Sequence, residues 1–249
     1  MQSIALMYHD IIGLDTAISG FQNKTAHKYK VSAVEFENQV SRIRRYLDEH
    51  NIPDSQVIFT FDDGGTSFLS EAAPILEKFR FKGIFFIATG YIGTPGFLDA
   101  DQIRELVRRG HAVGPHSHSH PERMSALNDD DINDEWSVSQ MILNEVLGYR
   151  ATVASIPNGY SSAAVEKAMA SSGINEIYTS EASAKTRKKN GYSIKGRYAI
   201  TADMTADDVI AIITSPLTRF KISFRNRVLS IAKWLLGDYY LAIRKKVIK

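Results

Sequence analysis

The sequence predicts an α/β protein built from parallel βα units, and two observations carry that prediction. Seven short apolar runs of strand length, at residues 4–8, 57–61, 83–88, 112–114, 151–156, 176–179 and 198–201, alternate with longer stretches of helical period. No internal repeat or linker interrupts the chain before residue 215, so one domain takes up seven strand–helix units, and its natural closure is a barrel, with an open doubly wound sheet as the alternative.

The helices follow from apolar spacing. Residues 34–50 place Val34, Phe36, Val40, Ile43, Tyr46 and Leu47 two to four apart, and residues 101–109 put Ile103, Leu106 and Val107 on one side. Residues 135–147 and 163–171 read the same way, with Gly148 and Gly173 where helices commonly end. From about residue 216 the character changes. Residues 217–249 hold nine Lys and Arg against the single Asp238, a charge of +8, which leaves −6 on the other 216 residues although the whole chain carries only +2. Plotted as a helix, residues 225–249 place Val228, Leu229, Leu235, Leu236, Tyr239 and Ile243 on one half, with Arg227, Lys233, Arg244 and Lys245 on the other. We expect domains at 1–215 and 216–249. The second is a basic amphipathic helical tail that packs on the barrel, lies peripherally on an anionic membrane face, or does both. Basic charge confined to such a tail on an acidic body argues against a nucleic-acid partner.

Composition narrows the chemistry. With no cysteine there is no disulfide scaffold, thiol nucleophile or thiolate metal site, so metal chemistry here needs His, Asp or Glu. The first residues lack the basic region, apolar core and cleavage site of a secretory leader, and no run approaches 18 apolar residues. The expectation is a cytoplasmic protein, peripheral at most on the inner membrane face.

In parallel barrels chemistry collects on the loops after the C-terminal strand ends. Those loops begin here with His9-Asp10, with Asp62-Asp63-Gly64-Gly65, with His116-Ser117-His118-Ser119-His120-Pro121 and with Pro157-Asn158-Gly159. Adjacent carboxylates repel and need a cation or donors to compensate them, although an Asp-Gly pair also suits an ordinary solvated turn. His116 and His120 lie four apart, a spacing at which two imidazoles can share one cation, with Asp63 or Asp62 as the third ligand. Two His and one carboxylate leave positions open for water and substrate, the arrangement of a catalytic site.

Thr60-Phe61-Asp62-Asp63-Gly64 followed by His116-Ser117-His118-Ser119-His120-Pro121 resembles the first two motifs of the NodB-homology polysaccharide deacetylases, carbohydrate esterase family 4. Ser155-Ile156-Pro157-Asn158-Gly159-Tyr160-Ser161 is similar to the family's third motif. The resemblance runs from about residue 3 to about 210. It implies a distorted (β/α)7 barrel and metal-dependent hydrolysis of N-acetyl, sometimes O-acetyl, groups on a saccharide in polysaccharide or envelope-glycan synthesis. It also implies Asp63, His116 and His120 as metal ligands and Asp62 as general base, with Pro157, Asn158, Gly159 and Tyr160 forming the substrate and oxyanion loop. The ion expected is one divalent cation, Zn2+ first, with Co2+, Ni2+, Mn2+ and Fe2+ as alternatives.

Two departures stand out. Many members carry an arginine before the third-motif proline to orient the base, where this chain has Ala154 and Ser155, and the C-terminal Leu-x-His motif is missing because no histidine follows His120. Leu6-Met7-Tyr8-His9 resembles the start of the circularly permuted branch, which includes the biofilm poly-N-acetylglucosamine deacetylases, and this assigns His9 as general acid. The partner expected is an N-acetylated saccharide, with a lipid-linked precursor fitting the basic tail. Competing readings are a deformylase or other amidase acting on a lipid-linked sugar, and a non-catalytic glycan-binding protein. A glycoside hydrolase is disfavoured, since adjacent Asp62 and Asp63 cannot flank a glycosidic bond from opposite sides. His118, between the two ligands, points away from the metal and either orients a ligand or lies in a solvated loop; His27, His50 and His111 carry no motif and are expected to be structural or surface residues, and the run Lys185–Lys189 to be a solvated loop.

Overall fold

The structure, a computed structural model, describes residues 2–14 and 18–228. In chain order the strands are β1 (Ile4–Tyr8), β2 (Ile11–Ile12), β3 (Val31–Ser32), β4 (Val57–Phe61), β5 (Gly83–Ile87), β6 (Ala112–Pro115), β7 (Val153–Ser155), β8 (Glu176–Tyr178), β9 (Thr186–Lys189), β10 (Tyr192–Lys195) and β11 (Tyr198–Ala199). The helices are α1 (Lys24–His27), α2 (Ala33–Glu49), α3 (Ala73–Lys78), α4 (Ala100–Arg108), α5 (Asp129–Leu147), α6 (Ala163–Ser171) and α7 (Ala206–Thr214).

A five-stranded sheet in the order β11-β1-β4-β5-β6 is parallel throughout, and a second sheet, β7-β8-β10-β9, is parallel apart from its β9–β10 hairpin. The expected α/β architecture is present as two arcs. Among the described residues no ladder joins β6 to β7 or β10 to β11, so hydrogen bonds do not close the ring. The arcs still touch at β6 and β7, where Gly114 approaches so closely that an added Cβ would stand 2.0 Å from the Val153 carbonyl oxygen. On the other side Gly196 and Arg197 carry the chain from β10 into β11.

Seven expected strands correspond to β1, β4, β5, β6, β7, β8 and β11, and the expected helices to α2, α4, α5 and α6, with α5 beginning six residues earlier than periodicity alone suggested. Asn128 explains the earlier start: its side chain caps the Asp131 N–H, and three aspartates follow in the first turn. The strand β9 corrects the reading of Lys185–Lys189 as a loop. Its four residues are all exposed, with no apolar face to reveal it, and its lysines suit an outer edge strand.

The interior is aromatic. Tyr8, Phe36, Phe59, Phe61, Phe68 and Phe85 are fully buried and their rings interlock at centroid distances from 4.8 to 6.4 Å. Burying each ring is worth roughly 1.5–3 kcal/mol. This packing fixes β1, β4 and β5 side by side, so the loops after them open at one rim. His111 braces the sheet from below: its Nδ1 accepts the Gly83 N–H at 3.0 Å, so its Nε2 donates to Glu77 at 2.9 Å.

Residues 216–228 are helical. Arg219 donates to the carbonyls of Ile212 and Ile213 at 2.8 and 2.9 Å, Ser223 donates to Ala182 O, and Ile222 packs against the core, so this part of the tail lies on the domain's flank. The remainder of the expected amphipathic helix, residues 229–249, lies outside the described residues.

Candidate active site

Asp62 and Asp63 follow β4 directly. Asp62 is buried, and Arg197 grips it with two parallel hydrogen bonds, Nη1 to Oδ1 and Nη2 to Oδ2, both 2.7 Å. Arg197 is itself fully buried, with Nε donating to Thr179 O at 3.1 Å, Nη1 to Thr60 Oγ1 at 3.1 Å and Nη2 to Ser155 Oγ at 2.7 Å. Its guanidinium lies over the rings of Phe86 and Tyr178, 5.6 and 5.9 Å from their centroids. Ser155 donates to Asp62 Oδ2 at 3.2 Å. Burial alone would push the Asp62 carboxyl up, but the Arg197 charge and its hydrogen bonds outweigh burial and hold it below the usual carboxylate range.

This arrangement answers the missing arginine. The position before Pro157 has no arginine, yet the guanidinium of Arg197, immediately before β11, reaches Asp62. Sequence reading passed over Arg197 because it sits in no motif and is 135 positions from its partner. The one local sign was a lone arginine beside glycine entering an apolar strand.

Asp63 stands at φ +90°, a strained conformation for a residue with a Cβ. Four of the six non-glycine residues with positive φ among those described, Asp63, Ser117, His120 and Asn158, belong to the three motifs, so backbone strain concentrates at this rim. Asp63 Oδ1 lies 3.5 Å from His116 Nε2 and 3.3 Å from His120 Nε2. Burial would raise the Asp63 carboxyl, but the His120 hydrogen bond and the nearby charge of His9 outweigh it, and the carboxyl is held well down. His116 is buried, with its Nδ1 2.9 Å from Ser155 O. A carbonyl only accepts, so Nδ1 carries the proton and Nε2 presents a lone pair toward Asp63. Burial pushes the His116 pKa down to about 4, so the ring is neutral at pH 7.

One ligand atom from each of Asp63, His116 and His120 lies within 4.8 Å of the others. Donors at ~2.0–2.1 Å from a tetrahedral ion sit about 3.3 Å apart. The observed 3.3 and 3.5 Å separations, one carboxylate and a neutral imidazole with its lone pair aimed inward fit a divalent cation.

His9 follows β1. Its ring packs on Tyr29 with centroids 4.7 Å apart, and its buried Nδ1 has no hydrogen-bond partner among the described residues. The charge of His9 is among the causes that hold down both Asp62 and Asp63. Pro157–Gly159 forms a single 3-10 turn in which Asn158 and Gly159 take φ of +55° and +72°. Asn158 Nδ2 donates to Pro121 O at 3.5 Å, and Arg123 stacks over Tyr160 at 5.4 Å, tying the third motif to the second. His118 turns aside to Thr89, Nδ1 to Oγ1 3.0 Å, and joins no ligand set.

A family model described as polysaccharide deacetylase matches residues 49–177, more than half of the chain. The chain belongs to the polysaccharide deacetylase family. A poly-β-1,6-N-acetyl-D-glucosamine N-deacetylase of Staphylococcus aureus (strain MSSA476) is 28% identical over 118 residues, 41% of each protein. A peptidoglycan-N-acetylglucosamine deacetylase of Bacillus cereus is 27% identical over 96 residues, 38% of this chain and 33% of that one. Two longer matches, to proteins of Bacillus subtilis and Geobacillus stearothermophilus, span 56% and 49% of those relatives, so the chain covers about half the length of the curated relatives it matches. Among solved structures, the deacetylase PplD of Streptococcus pyogenes, in complex with acetate, superposes with a TM-score of 0.69 at 21% identity, covering 86% of this chain and 98% of that one. IcaB from Ammonifex degensii superposes with a TM-score of 0.66 at 21% identity, covering 86% and 97%. At that identity the superpositions establish the shared fold.

Proposed function

We propose that this chain is a metal-dependent hydrolase that removes N-acetyl groups from a saccharide, in the synthesis of a polysaccharide or envelope glycan. The observation that carries the reading is the pairing, at one rim, of a candidate Asp63, His116, His120 metal centre with a second buried carboxylate, Asp62, kept ionised by Arg197.

Asp63, His116 and His120 would hold the ion, with zinc favoured by the His and carboxylate donors and cobalt, nickel, manganese and iron as the ions to compare. Bound there, a divalent cation supplies Lewis acidity, lowering the pKa of a water and polarising the amide carbonyl. Asp62 accepts the proton of the attacking water. Its two oxygens offer about four acceptor sites. Arg197 and Ser155 take three of them, leaving one on Oδ1 for that proton. Proton acceptance of this kind contributes about 10²–10⁴-fold to rate. His9 donates a proton to the departing sugar nitrogen, and Tyr29, packed against it at a tilt, keeps the ring in place. Pro157, Asn158, Gly159 and Tyr160 shape the wall against which the acyl oxygen lies, where backbone N–H groups stabilise developing negative charge. A carbon–oxygen bond forms and the amide carbon–nitrogen bond breaks, giving acetate and a free amine.

We place the saccharide on a lipid carrier. Supporting that choice, Leu217, Phe220, Phe224 and Val228 form an exposed apolar stripe on the helix of residues 216–228, with exposed Lys221 and Arg225 on one side and Arg227 on the other. Such a stripe suits an anionic membrane surface.

The test is acetate release from N-acetylglucosamine oligomers and their lipid-linked forms, with and without chelator. We expect release to stop on chelation and in Asp63→Ala and His116→Ala proteins, and His9→Ala to lower turnover while metal content is kept. Full activity in metal-free protein would overturn the reading, and formate release instead of acetate would reassign the acyl group.

A further inference from the structure

The loop that carries His116 and His120 is held from behind by one helix. Glu135 Oε2 accepts the backbone N–H groups of His118 and Ser119 at 2.8 and 2.9 Å, while Oε1 accepts the Ser119 hydroxyl. One turn along α5, Ser139 Oγ donates to Ser117 O at 3.0 Å and accepts from Thr89 Oγ1 at 3.2 Å. Glu135 and Ser139 are four apart and therefore on one face of the helix. Three further bonds hold the loop: Ser117 O also accepts the Thr89 N–H at 3.1 Å, His118 O accepts the Gly90 N–H at 2.9 Å, and the His120 N–H goes to Ser117 Oγ at 3.2 Å.

The loop needs such support. Ser117 and His120 sit at φ +62° and +57°, the left-handed region that costs an ordinary L-residue roughly 1–2 kcal/mol. Consecutive N–H groups turned the same way by such backbone form a concavity that binds an anion. Here the Glu135 carboxylate fills it.

We propose that Glu135 is a positioning residue for the metal centre, with Ser139 as its auxiliary: its carboxylate holds the loop between the two histidine ligands in the ligand-competent conformation and thereby sets metal affinity. This inference rests on the metal site proposed above. Glu135 touches neither Asp63 nor the imidazole of His116 or His120 in any hydrogen bond or ion pair among the described residues, so its effect passes through the loop backbone.

The experiment measures zinc affinity of the full chain by competition with a chromophoric chelator, alongside the melting temperature of each metal-free protein, for wild type, Glu135→Ala, Glu135→Gln, Ser139→Ala and Asp63→Ala. Outer partners of metal ligands typically set affinity by about 10–100-fold. We expect a loss in that range for Glu135→Ala, a smaller loss for Glu135→Gln, whose amide oxygen can still accept one N–H, and the smallest for Ser139→Ala, with metal-free melting temperatures close to wild type. If Glu135→Ala does not fold, Glu135→Gln carries the test. Unchanged zinc affinity in the folded Glu135 variants overturns the proposal. Asp63→Ala separates the two levels: wild-type affinity in that protein removes the metal site itself, whereas loss in Asp63→Ala with no loss at Glu135 removes only the positioning role. No sugar enters the measurement, so a protein that binds zinc but releases no acetate leaves the clamp standing and the deacetylase reading refuted.

Discussion

Two buried carboxylates follow neighbouring parallel strands of this molecule, and their surroundings drive them in opposite directions. Asp10, two residues beyond β1, receives hydroxyl donors from Ser19 at 2.6 Å and Ser67 at 3.0 Å, with Lys30 Nζ 3.8 Å away. Asp62, directly after β4, receives the paired donors of Arg197 at 2.7 Å. Burial dominates at Asp10 and raises its pKa; at Asp62 the bidentate guanidinium outweighs burial and lowers it. Depth alone does not set the charge state of a carboxylate. A planar cation with two N–H groups aimed at both oxygens does what hydroxyls and an off-centre ammonium do not.

The roles differ accordingly. Asp10 stitches the loops: Gly20 and Gly65 approach so closely that an added Cβ at either would fall about 2 Å from an Asp10 oxygen, at 2.1 and 2.0 Å. Asp62 is kept ionised beside His116, whose Nε2 lies 3.9 Å from its Oδ2.

Breaking the Arg197 contact gives the largest expected effect. Arg197→Met leaves Asp62 buried and uncompensated, a loss of about 3–5 kcal/mol in stability. In whatever fraction folds, the Asp62 pKa rises, so the acid limb of the pH–rate profile for acetate release moves to higher pH. Arg197→Lys keeps the charge but not the fork and is expected to fall between wild type and Met on both measures. An acid limb that stays in place in both variants would show that Asp62 is not the titrating base.

Asp10→Asn tests the other side of the comparison and should affect stability more visibly than rate. A carboxyl whose folded pKa lies above its unfolded value of about 3.9 contributes stability that is complete below that value and is lost as pH rises through the folded pKa. Wild type should therefore lose that contribution on passing upward from about pH 4, and Asp10→Asn should not. Urea unfolding across that range checks it, and parallel curves for the two proteins would mean that Asp10 is compensated after all.

Glu77 supplies the smallest effect and a surface reference. Arg109 hydrogen-bonds both of its oxygens, at 3.0 and 2.6 Å, and with His111 lowers its pKa to about 2 despite some burial. Its stabilisation is present above the unfolded glutamate value of about 4.3 and is lost as pH falls through the folded value. Because the side chain is 27% exposed, Arg109→Ala should cost no more than about 1 kcal/mol at pH 7. Unfolding free energies at pH 7 and at pH 3 should show the gap narrowing.

Much of this site is legible in the sequence because metal ligation leaves local marks. Asp62-Asp63-Gly64 and the spacing of His116 to His120 reflect short-range geometry, and the structure brings Asp63, His116 and His120 together as that spacing implies. Arg197 and the clamp from α5 were not legible, since both act across long sequence separations through groups common anywhere in a protein: one arginine, one glutamate, one serine. The fold shows the same division. Strands with buried apolar runs such as β4 and β5 announce themselves, while β9, exposed and charged along its length, is defined by its hydrogen bonds to β10 and by nothing in its own composition.

The separation between Asp62 and Arg197 also bears on how the chain is made. A ribosome adding 5–20 residues per second takes roughly 7–27 s to travel from one to the other. Throughout that interval the Asp62 carboxylate has emerged and the guanidinium 135 positions later has not. The first half of the sheet can pack its phenylalanines as it is synthesised, but Asp62 cannot be sealed from water without heavy cost until β11 pairs with β1. A nascent chain stalled before residue 197 would carry Asp62, Asp63, His116 and His120 yet lack the guanidinium that grips Asp62.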